Sequence, residues 1–137
     1  MTREIVVSAA VVTDGAARAL VVRKAGTTAF MQPGGKHEAG ESPAAALVRE
    51  LAEEIGLQIH EDDLSPLGRF ETDAANEPGH RVVADAFLIE VDPASVGRSG
   101  EIEEIRWITA ADAASLPLAP LSRDLLLPLL WNAPAAG

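Results

Sequence analysis

The sequence contains no cysteine among its 137 residues. A chain without cysteine has no disulfide framework, no thiolate zinc site, no iron–sulfur cluster and no cysteine nucleophile. Tyrosine is also absent, and basic residues are scarce: 11 lysines and arginines stand against 21 acidic residues, for a net charge of −10. Because nucleic-acid polymers are bound mainly through basic contacts to phosphates, we expect no such partner.

Long apolar runs are missing as well. The longest candidate, residues 125–131, contains Pro128 and falls far short of the roughly 18 residues that a membrane span needs. The first residues pass straight into a strand-like pattern, with no features of a signal peptide. We therefore expect a cytoplasmic protein that does not enter a membrane.

The composition that remains is typical of one globular domain. Apolar residues make up 47% of the chain and charged residues 23%, which are ordinary values for a folded soluble protein. No internal repeat, linker or low-complexity tract divides the sequence. We expect a single domain over residues 1–137, with no room for a second one.

Hydrophobic patterning and turn residues predict an α/β protein with a mixed sheet. Strands are predicted at 5–12, 18–23, 64–71, 81–91 and 103–108, with a short extended piece at 29–32. Asp14-Gly15 indicates a hairpin between the first two strands, and residues 73–79 have a loop composition. Short helices are predicted at 110–115 and 122–131. This order of elements favours a mixed β-sheet sandwiched between α-helices.

The strongest helix signal spans residues 42–55. Ser42 is a suitable N-cap, Pro43 suits the first helical position and Gly56 suits the C-terminal stop. Apolar residues repeat along this segment with helical spacing and predict one buried side. They are Ala44, Leu47, Val48, Leu51 and Ile55.

Three carboxylates share a second side of this predicted helix. Glu50, Glu53 and Glu54 lie at i, i+3 and i+4, which places their centre roughly 120° from the centre of the apolar stripe. The simplest interpretation is a solvated acidic face. However, like charges at this spacing weaken a helix, and they stand near its C-terminal end, where the helix dipole disfavours them. A divalent cation with oxygen ligands, such as Mg²⁺, would compensate for this repulsion.

A stiff turn precedes the helix and extends the motif. Its residues, Pro33-Gly34-Gly35-Lys36, include backbone without side chains, where a ligand can approach closely. From there the chain continues as Gly35-x5-Glu41-x7-Arg49-Glu50-Leu51-x-Glu53-Glu54-x-Gly56-Leu57. Every specified position of the Nudix box, G-x5-E-x7-R-E-U-x-E-E-x-G-U with U a bulky aliphatic residue, is matched over residues 35–57. Such a match arises by chance in on the order of one window in a billion.

The chain therefore resembles a Nudix hydrolase of the small, MutT-like, single-domain kind. The resemblance implies the Nudix fold and hydrolysis of a nucleoside diphosphate linked to a further group, dependent on Mg²⁺ or Mn²⁺. It implies that Glu50, Glu53 and Glu54 bind the metal, together with the carbonyl of Gly34.

Other box positions are implied to be structural. Glu41 and Arg49 would hold the loop against the helix through an ion pair, with Gly35 and Gly56 as the glycines that begin and end the motif.

The resemblance leaves the general base open. Within the family the base is sometimes Glu50 or Glu53 and sometimes a glutamate outside the box. The outside candidates are Glu101, Glu103 and Glu104, and we favour Glu103 or Glu104 because strand alternation points only one of these two inward. The alternative for this stretch is an acidic edge strand.

Substrate contacts are expected near the turn, each with a plainer alternative. Arg23, or its neighbour Lys24, would hold a phosphate or be ordinary surface charge, and Lys36 would hold a phosphate or stabilise its loop. Phe30 would stack on a base or belong to the core. Gln32 occupies a position that is usually apolar in relatives, and it would hydrogen-bond a base or face solvent.

The substrate follows only by elimination. The marks of diadenosine-polyphosphate hydrolases, NADH pyrophosphatases and ADP-ribose pyrophosphatases are missing or out of register, which leaves a nucleoside triphosphate or a damaged, oxidised nucleotide. Other diphosphates, such as ADP-ribose, nucleotide sugars and dinucleotides, remain alternatives, as does a non-catalytic nucleotide-sensing domain. Dimers are common among relatives, and the apolar C-terminal segment with Trp131 offers a contact for a homodimer.

Overall fold

A computed structural model describes residues 3–73 and 79–132. These described residues form six strands: β1 Arg3–Thr13, β2 Ala19–Lys24, β3 Gly34–Lys36, β4 Ser65–Asp73, β5 His80–Glu90 and β6 Ile102–Ile108. The helices are α1 Pro43–Ile55, α2 Ala110–Ala113 and α3 Leu127–Trp131, and a π-helical segment, Leu121–Leu126, leads directly into α3. Single 3-10 turns occur at Glu61–Asp63 and Pro93–Ser95. Most of the predicted loop at 73–79 lies outside the described residues.

The strands form one mixed sheet in the order β4-β5-β1-β2-β6. The long central pair, β1 and β5, is parallel, and the other strand pairs are antiparallel. Strand β3 pairs with the middle of β1, from Val7 to Ala9, while β2 pairs with its far end at Thr13. The edge of β1 is thus shared between β2 and the glycine-containing strand β3.

Both faces of the central strands are covered, which explains their continuous apolar runs. Successive side chains of a strand point to opposite faces, so Ala10 and Val12 pack against α1, whereas Ala9 and Val11 pack on the other side. The second face is covered by the C-terminal part of the chain, through residues such as Leu126. The predicted mixed sheet between helices is confirmed.

Helix α1 begins and ends at the predicted residues. The hydroxyl of Ser42 accepts a hydrogen bond from the Ala45 N–H at 3.1 Å, and the Gly56 N–H donates to the carbonyls of Leu51 and Ala52. The predicted apolar side is the one that packs on the sheet, with Leu47, Leu51 and Ile55 fully buried. Packing of this side fixes which way the remaining sides of α1 face.

Two elements differ from the sequence-based expectation. Residues 34–36 were expected as a turn, but they form β3 because β1 offers them hydrogen-bond partners that sequence patterns do not reveal. The predicted C-terminal helix is divided into the π-helical segment and α3. Pro128 has no N–H and its ring disfavours an α-helical turn before it, and the N–H of Leu127 instead donates to the carbonyl of Ser122, five residues earlier.

Two further expectations concern the C-terminal helices and membranes. Trp131, considered above for a dimer contact, packs against the buried cluster that includes Val21 and Leu127, and its indole N–H donates to the Ala17 carbonyl at 2.8 Å. Homodimer formation stays a prediction. Among the described residues, no helix is long and apolar enough to cross a membrane.

Leu51 provides a test of the packing between α1 and the sheet. It is 0% exposed, whereas Leu129 on α3 is 38% exposed. We expect Leu51→Ala to lower the free energy of unfolding by about 2 to 5 kcal/mol, since it leaves a cavity, and the matched Leu129→Ala to cost less than about 1.5 kcal/mol. Urea denaturation measures both values. Equal effects for the two variants would contradict the assigned core.

Candidate active site

A cleft of about 1290 Å³ opens beside β3 and the C-terminal half of α1. Five acidic residues and two lysines border it, together with backbone of the glycine turn. They are Glu50, Glu53, Glu54, Asp73, Glu101, Lys24 and Lys36. The cleft is large enough for a nucleotide-sized ligand, and most of these charges lie on the α1 side, whereas Asp73 lies on the edge strand β4.

Two glycines allow β3 to lie between β1 and α1. A Cβ atom added to Gly34, whose φ is 150°, would stand 2.0 Å from the carbonyl oxygen of Ser8 on β1. A Cβ atom added to Gly35 would stand 2.5 Å from Cδ of Glu50 on α1. Glycine at these positions therefore brings the backbone of β3 into direct contact with one of the box carboxylates.

Arg49 ties the loop before α1 to the carboxylates on the helix. Its guanidinium donates two hydrogen bonds to Glu41, at 2.7 and 2.9 Å, and one to Glu50 at 2.9 Å. It also donates to the Lys36 carbonyl at 3.0 Å and lies 3.5 Å from a carboxylate oxygen of Glu53. Bonding to Arg49 lowers the pKa of Glu41 to about 2, so this bidentate ion pair holds at neutral pH.

Of the three box glutamates on α1, Glu54 is the buried one, with an exposure of 7%. One of its oxygens accepts a hydrogen bond from the Gly34 N–H at 2.9 Å. Burial raises the pKa of Glu54 to about 7; the Gly34 bond and Lys24 act against this shift, and the charges of Glu50 and Glu53 add to it. A carboxylate in this position is costly for the protein unless a cation compensates its charge.

The carboxylate oxygens at the cleft are the kind of donor that a hard divalent cation prefers, although in this structure they do not converge on a common point. As they stand, no three acidic or histidine side chains of the described residues are gathered closely enough to hold a metal. Glu50 and Glu53 instead contact Arg49, and Glu54 contacts the Gly34 N–H. Their oxygens border one cleft, and Glu54 forms no ion pair with the described part of the chain. Oxygen donors with excess negative charge suit Mg²⁺ or Mn²⁺.

The three candidate bases outside the box, which lie just before β6 or on it, have different surroundings. Glu104 pairs with Arg106 at 2.7 Å and with Arg23 at 3.3 Å, and the side chain of Glu103 is 50% exposed. Neither residue borders the cleft, whereas Glu101 does. The placement of these side chains goes against Glu103 and Glu104 and favours Glu101, because strand alternation turned Glu104 toward Arg23 rather than toward the carboxylates.

Of the residues expected to contact phosphate or base, some border the cleft and others do not. Lys36 borders the cleft, and so does Lys24 in place of its neighbour Arg23. Arg23 is engaged with Glu104 and with the carbonyl of Thr27. Phe30 is 3% exposed and lies in the core beneath Arg23 and Arg106. Of the two interpretations given for Phe30, the structure shows the core residue and not the stacking surface.

Gln32 does not face solvent, which corrects one of the two interpretations given above. It is 5% exposed, and neither polar atom of its side chain has a hydrogen-bond partner in the described part of the chain. An unsatisfied buried amide costs on the order of 1 to 3 kcal/mol. The N–H of Gln32 donates to the hydroxyl of Ser122 at 3.1 Å, and both residues border the cleft.

Sequence reasoning missed two residues that shape the site. Ser8 is fully buried in β1; its hydroxyl donates to the Pro43 carbonyl at 2.7 Å and lies 2.8 Å from Nε2 of His37. Ser122, from the π-helical segment, supports Gln32. A serine inside the apolar run of β1 was the available signal for Ser8. No local signal marks Ser122, because its partner lies 90 residues away.

Comparison with known proteins agrees with the resemblance found in the sequence. The NUDIX domain family matches residues 2–129. A curated protein from Mycobacterium tuberculosis, named "Putative 8-oxo-dGTP diphosphatase 2", is 35% identical over 98 residues, which cover 71% of this chain and 65% of that protein. The chain thus spans just under two thirds of the length of this relative.

Solved structures share the fold. The E. coli dihydroneopterin triphosphate pyrophosphohydrolase has a TM-score of 0.78 at 19% identity, over 97% of this chain and 99% of that one. A bifunctional NMN adenylyltransferase/ADP ribose pyrophosphatase from Francisella tularensis, solved with AMP and a Mn ion, has a TM-score of 0.72 at 18% identity. That match covers 96% of this chain and 42% of the other.

Substitution of the two glycines separates folding from metal binding. We expect Gly34→Ala to destabilise the protein by about 3 kcal/mol or more, because its Cβ would meet backbone that cannot move easily. Gly35→Ala should fold, since the end of the Glu50 side chain can move, but it should bind Mg²⁺ at least tenfold more weakly. Urea denaturation and calorimetric titration with Mg²⁺ measure these effects. Wild-type Mg²⁺ affinity in Gly35→Ala would remove Glu50 from the set of metal ligands.

Glu54→Gln should stabilise the metal-free protein at alkaline pH. The folded-state pKa of about 7 lies above the ordinary 4.5, so wild-type stability falls as pH rises from 4.5 through 7, whereas the neutral amide is insensitive to pH here. In chelator we expect a gain on the order of 2 kcal/mol at pH 8, which shrinks toward zero at pH 4. The exposed Glu53→Gln is the control and should change little. Thermal melts across pH test this, and a Glu54→Gln protein less stable than wild type at pH 8 would refute it.

Proposed function

The chain belongs to the NUDIX family, and on that premise we propose that it hydrolyses a pyrophosphate bond in a nucleoside diphosphate linked to a further group, with Mg²⁺ or Mn²⁺ as cofactor. The observation that carries this proposal is the shared cleft of Gly34, Glu50, Glu53 and Glu54. The family match over residues 2–129 also supports one domain over 1–137.

Four oxygen donors are proposed to hold the cation: the carboxylates of Glu50, Glu53 and Glu54 and the carbonyl of Gly34. When bound, the cation supplies positive charge that neutralises the diphosphate and makes a nearby water more acidic. Glu50 and Glu53 now rest on Arg49, which also has Glu41 as a partner. Arg49 can therefore release the two box carboxylates without losing its own charge compensation.

Lys24 and Lys36 are proposed to bind the phosphate groups. Both border the cleft that the carboxylates border, and an ammonium group is a suitable point charge for a phosphate oxygen. Their charges offset part of the repulsion between an anionic substrate and a protein of net charge −10. This arrangement places positive charge where a diphosphate would lie.

A glutamate at the cleft is proposed to accept the proton of the attacking water. The water oxygen forms a bond to phosphorus, the bridging phosphorus–oxygen bond breaks, and the two products are a nucleotide and a phosphorylated leaving group. The water proton passes to a carboxylate within hydrogen-bond reach. Glu50, Glu53 and Glu101 border the cleft and qualify by position, whereas Glu103 and Glu104 would first have to leave their present surroundings.

A nucleoside triphosphate, or an oxidised nucleotide of this kind, is the proposed substrate. Support comes from the mycobacterial relative, whose name refers to 8-oxo-dGTP. The absence from this sequence of the marks of dinucleotide and NADH hydrolases agrees with it. A hydrolysis screen over nucleoside triphosphates, 8-oxo-dGTP, ADP-ribose, nucleotide sugars and dinucleotides tests it directly, and preferred turnover of ADP-ribose would replace this substrate assignment.

Removal of one proposed metal ligand should abolish most of the activity without loss of the fold. We expect Glu53→Gln to lower kcat by at least about a hundredfold with Mg²⁺, because the amide binds the cation poorly and cannot accept a proton. The exposed Glu71→Gln on β4, a glutamate that does not border the cleft, is the matched control and should keep wild-type kcat. Glu101→Gln and Glu104→Gln in the same assay test whether the general base is a glutamate outside the box that borders the cleft or one that does not.

Chelation provides the complementary test. EDTA should stop hydrolysis while the protein stays folded at the assay temperature, because the core does not depend on the site; the melting temperature should fall modestly, since a bound cation stabilises the folded state. Re-addition of Mg²⁺ should restore activity in full. Either hydrolysis in excess chelator or near-wild-type kcat in Glu53→Gln would show that the cation is held elsewhere or is not used.

A further inference from the structure

Gln32 has a side-chain amide that the folded chain leaves unused. Oε1 and Nε2 are both buried, with no hydrogen-bond partner among the described residues. The backbone of Gln32 is nevertheless anchored by the hydroxyl of Ser122. A leucine or methionine would fill this space without an unpaired polar group, so the amide weakens the ligand-free fold. A buried amide without a partner is expected in a folded protein where it forms its hydrogen bonds in another state, such as a complex with a ligand.

The amide belongs to a different part of the cleft from the carboxylates. Met31 packs with α1, while Phe30 packs with the C-terminal segments on the opposite face of the sheet. Alternation places Gln32 on the side of Phe30, and its bond to Ser122 agrees with that side. The cleft thus has a charged end beside α1 and a second end beside the π-helical segment.

The second end is lined mainly by apolar side chains. Alternation along β1 places Ile5 and Val7 on the face of Ala9 and Val11, which Leu121 of the π-helical segment also covers. Val82 of β5 pairs with Ile5, and the charged residue nearby is Asp73 of β4. Flat apolar walls with one or two polar groups that set orientation are typical of sites for heterocyclic rings. A phosphate would not suit this end, because an amide oxygen repels an anion and the two lysines are at the charged end.

A primary amide selects for a particular kind of edge. It presents an acceptor and a donor side by side, so it makes two parallel hydrogen bonds with a ring that has an adjacent donor and acceptor. Purine and pyrimidine bases carry such edges, and glutamine pairs in this way with adenine in nucleic-acid recognition. A sugar hydroxyl satisfies only one of the two atoms.

We propose that the side-chain amide of Gln32 recognises the base of the nucleotide substrate through a bidentate hydrogen bond at the π-helical end of the cleft. The proposal rests on the proposed function, in which the charged end holds the diphosphate. Each amide atom exposes less than 1 Å², so the base reaches it when Gln32 rotates or a bordering side chain moves. Because no hydrogen bond of the amide has to break, this rearrangement costs little.

Gln32→Met is the variant that tests the proposal, since methionine has a similar length and lacks the amide. The matched control is Gln58→Met, which makes the same change at an exposed glutamine that does not border the cleft. Hydrolysis is measured with the four ribonucleoside triphosphates, 8-oxo-dGTP and inorganic tripolyphosphate, which has no base. We expect Gln32→Met to lower kcat/KM for the preferred nucleotide by about 10- to 100-fold, mainly through KM.

The same panel separates base recognition from a structural role. Preference among the bases should shrink in Gln32→Met, whereas turnover of tripolyphosphate and all rates of Gln58→Met should stay at the wild-type level. The melting temperature of ligand-free Gln32→Met should be equal to or above that of wild type. An unchanged base preference, or an equal loss with tripolyphosphate, overturns the proposal.

A binding experiment keeps the inference independent of turnover. Nucleoside 5′-monophosphates are titrated calorimetrically into wild type and both variants without metal. Tighter binding to wild type than to Gln32→Met, in a base-dependent manner, supports the role of Gln32 even if no nucleotide is hydrolysed, in which case only the proposed hydrolysis fails. Equal binding to both proteins, or no binding to wild type, overturns the role of Gln32.

Discussion

The insertion of a glycine strand between β1 and α1 is the constraint on which the cleft depends. At Gly34 there is no space for a side chain beside the Ser8 carbonyl, and at Gly35 there is none beside Glu50. This close approach brings the Gly34 N–H within 2.9 Å of Glu54 and seats the turn against the carboxylate side of the helix. Since α1 is held in turn by its apolar side, the position of the carboxylates is set by packing and not by the acidic residues themselves.

Electrostatic repulsion is the cost of this arrangement. Glu50, Glu53 and Glu54 share one helix, and burial of Glu54 raises its pKa, so its charged form is destabilised. Arg49 offsets part of the repulsion by contacting Glu50 and Glu53 while it keeps its main bond to Glu41. Within residues 3–73 and 79–132, the one hydrogen bond that Glu54 accepts comes from the backbone N–H of Gly34. The site is therefore short of positive charge, which is the condition under which a hard cation stabilises a protein.

The two ends of the cleft divide the chemistry that a nucleotide requires. The box carboxylates and both lysines lie at one end, and the amide of Gln32 lies at the other among mainly apolar side chains. Both ends depend on the same short segment, since Gln32 precedes Gly34 by only two residues. Ser122 links this segment to the π-helical segment, so the local change in helix geometry before Pro128 shapes the end of the cleft beside Gln32. The geometry of one turn thus determines both the charged and the uncharged contacts.

The sequence by itself determined the elements whose signals are local. The caps of α1, the strands with alternating or continuous apolar residues, and the spacing of the box glutamates are all properties of neighbouring residues, and they were predicted close to their observed places. Tertiary structure alone decided the rest. Whether Glu101 or Glu104 borders the cleft, whether Lys24 or Arg23 does, that Phe30 is core, and that Gln32 is buried beside Ser122 depend on partners far away in the chain. Spacing along a helix fixes which side chains share a face, but only packing fixes what that face meets.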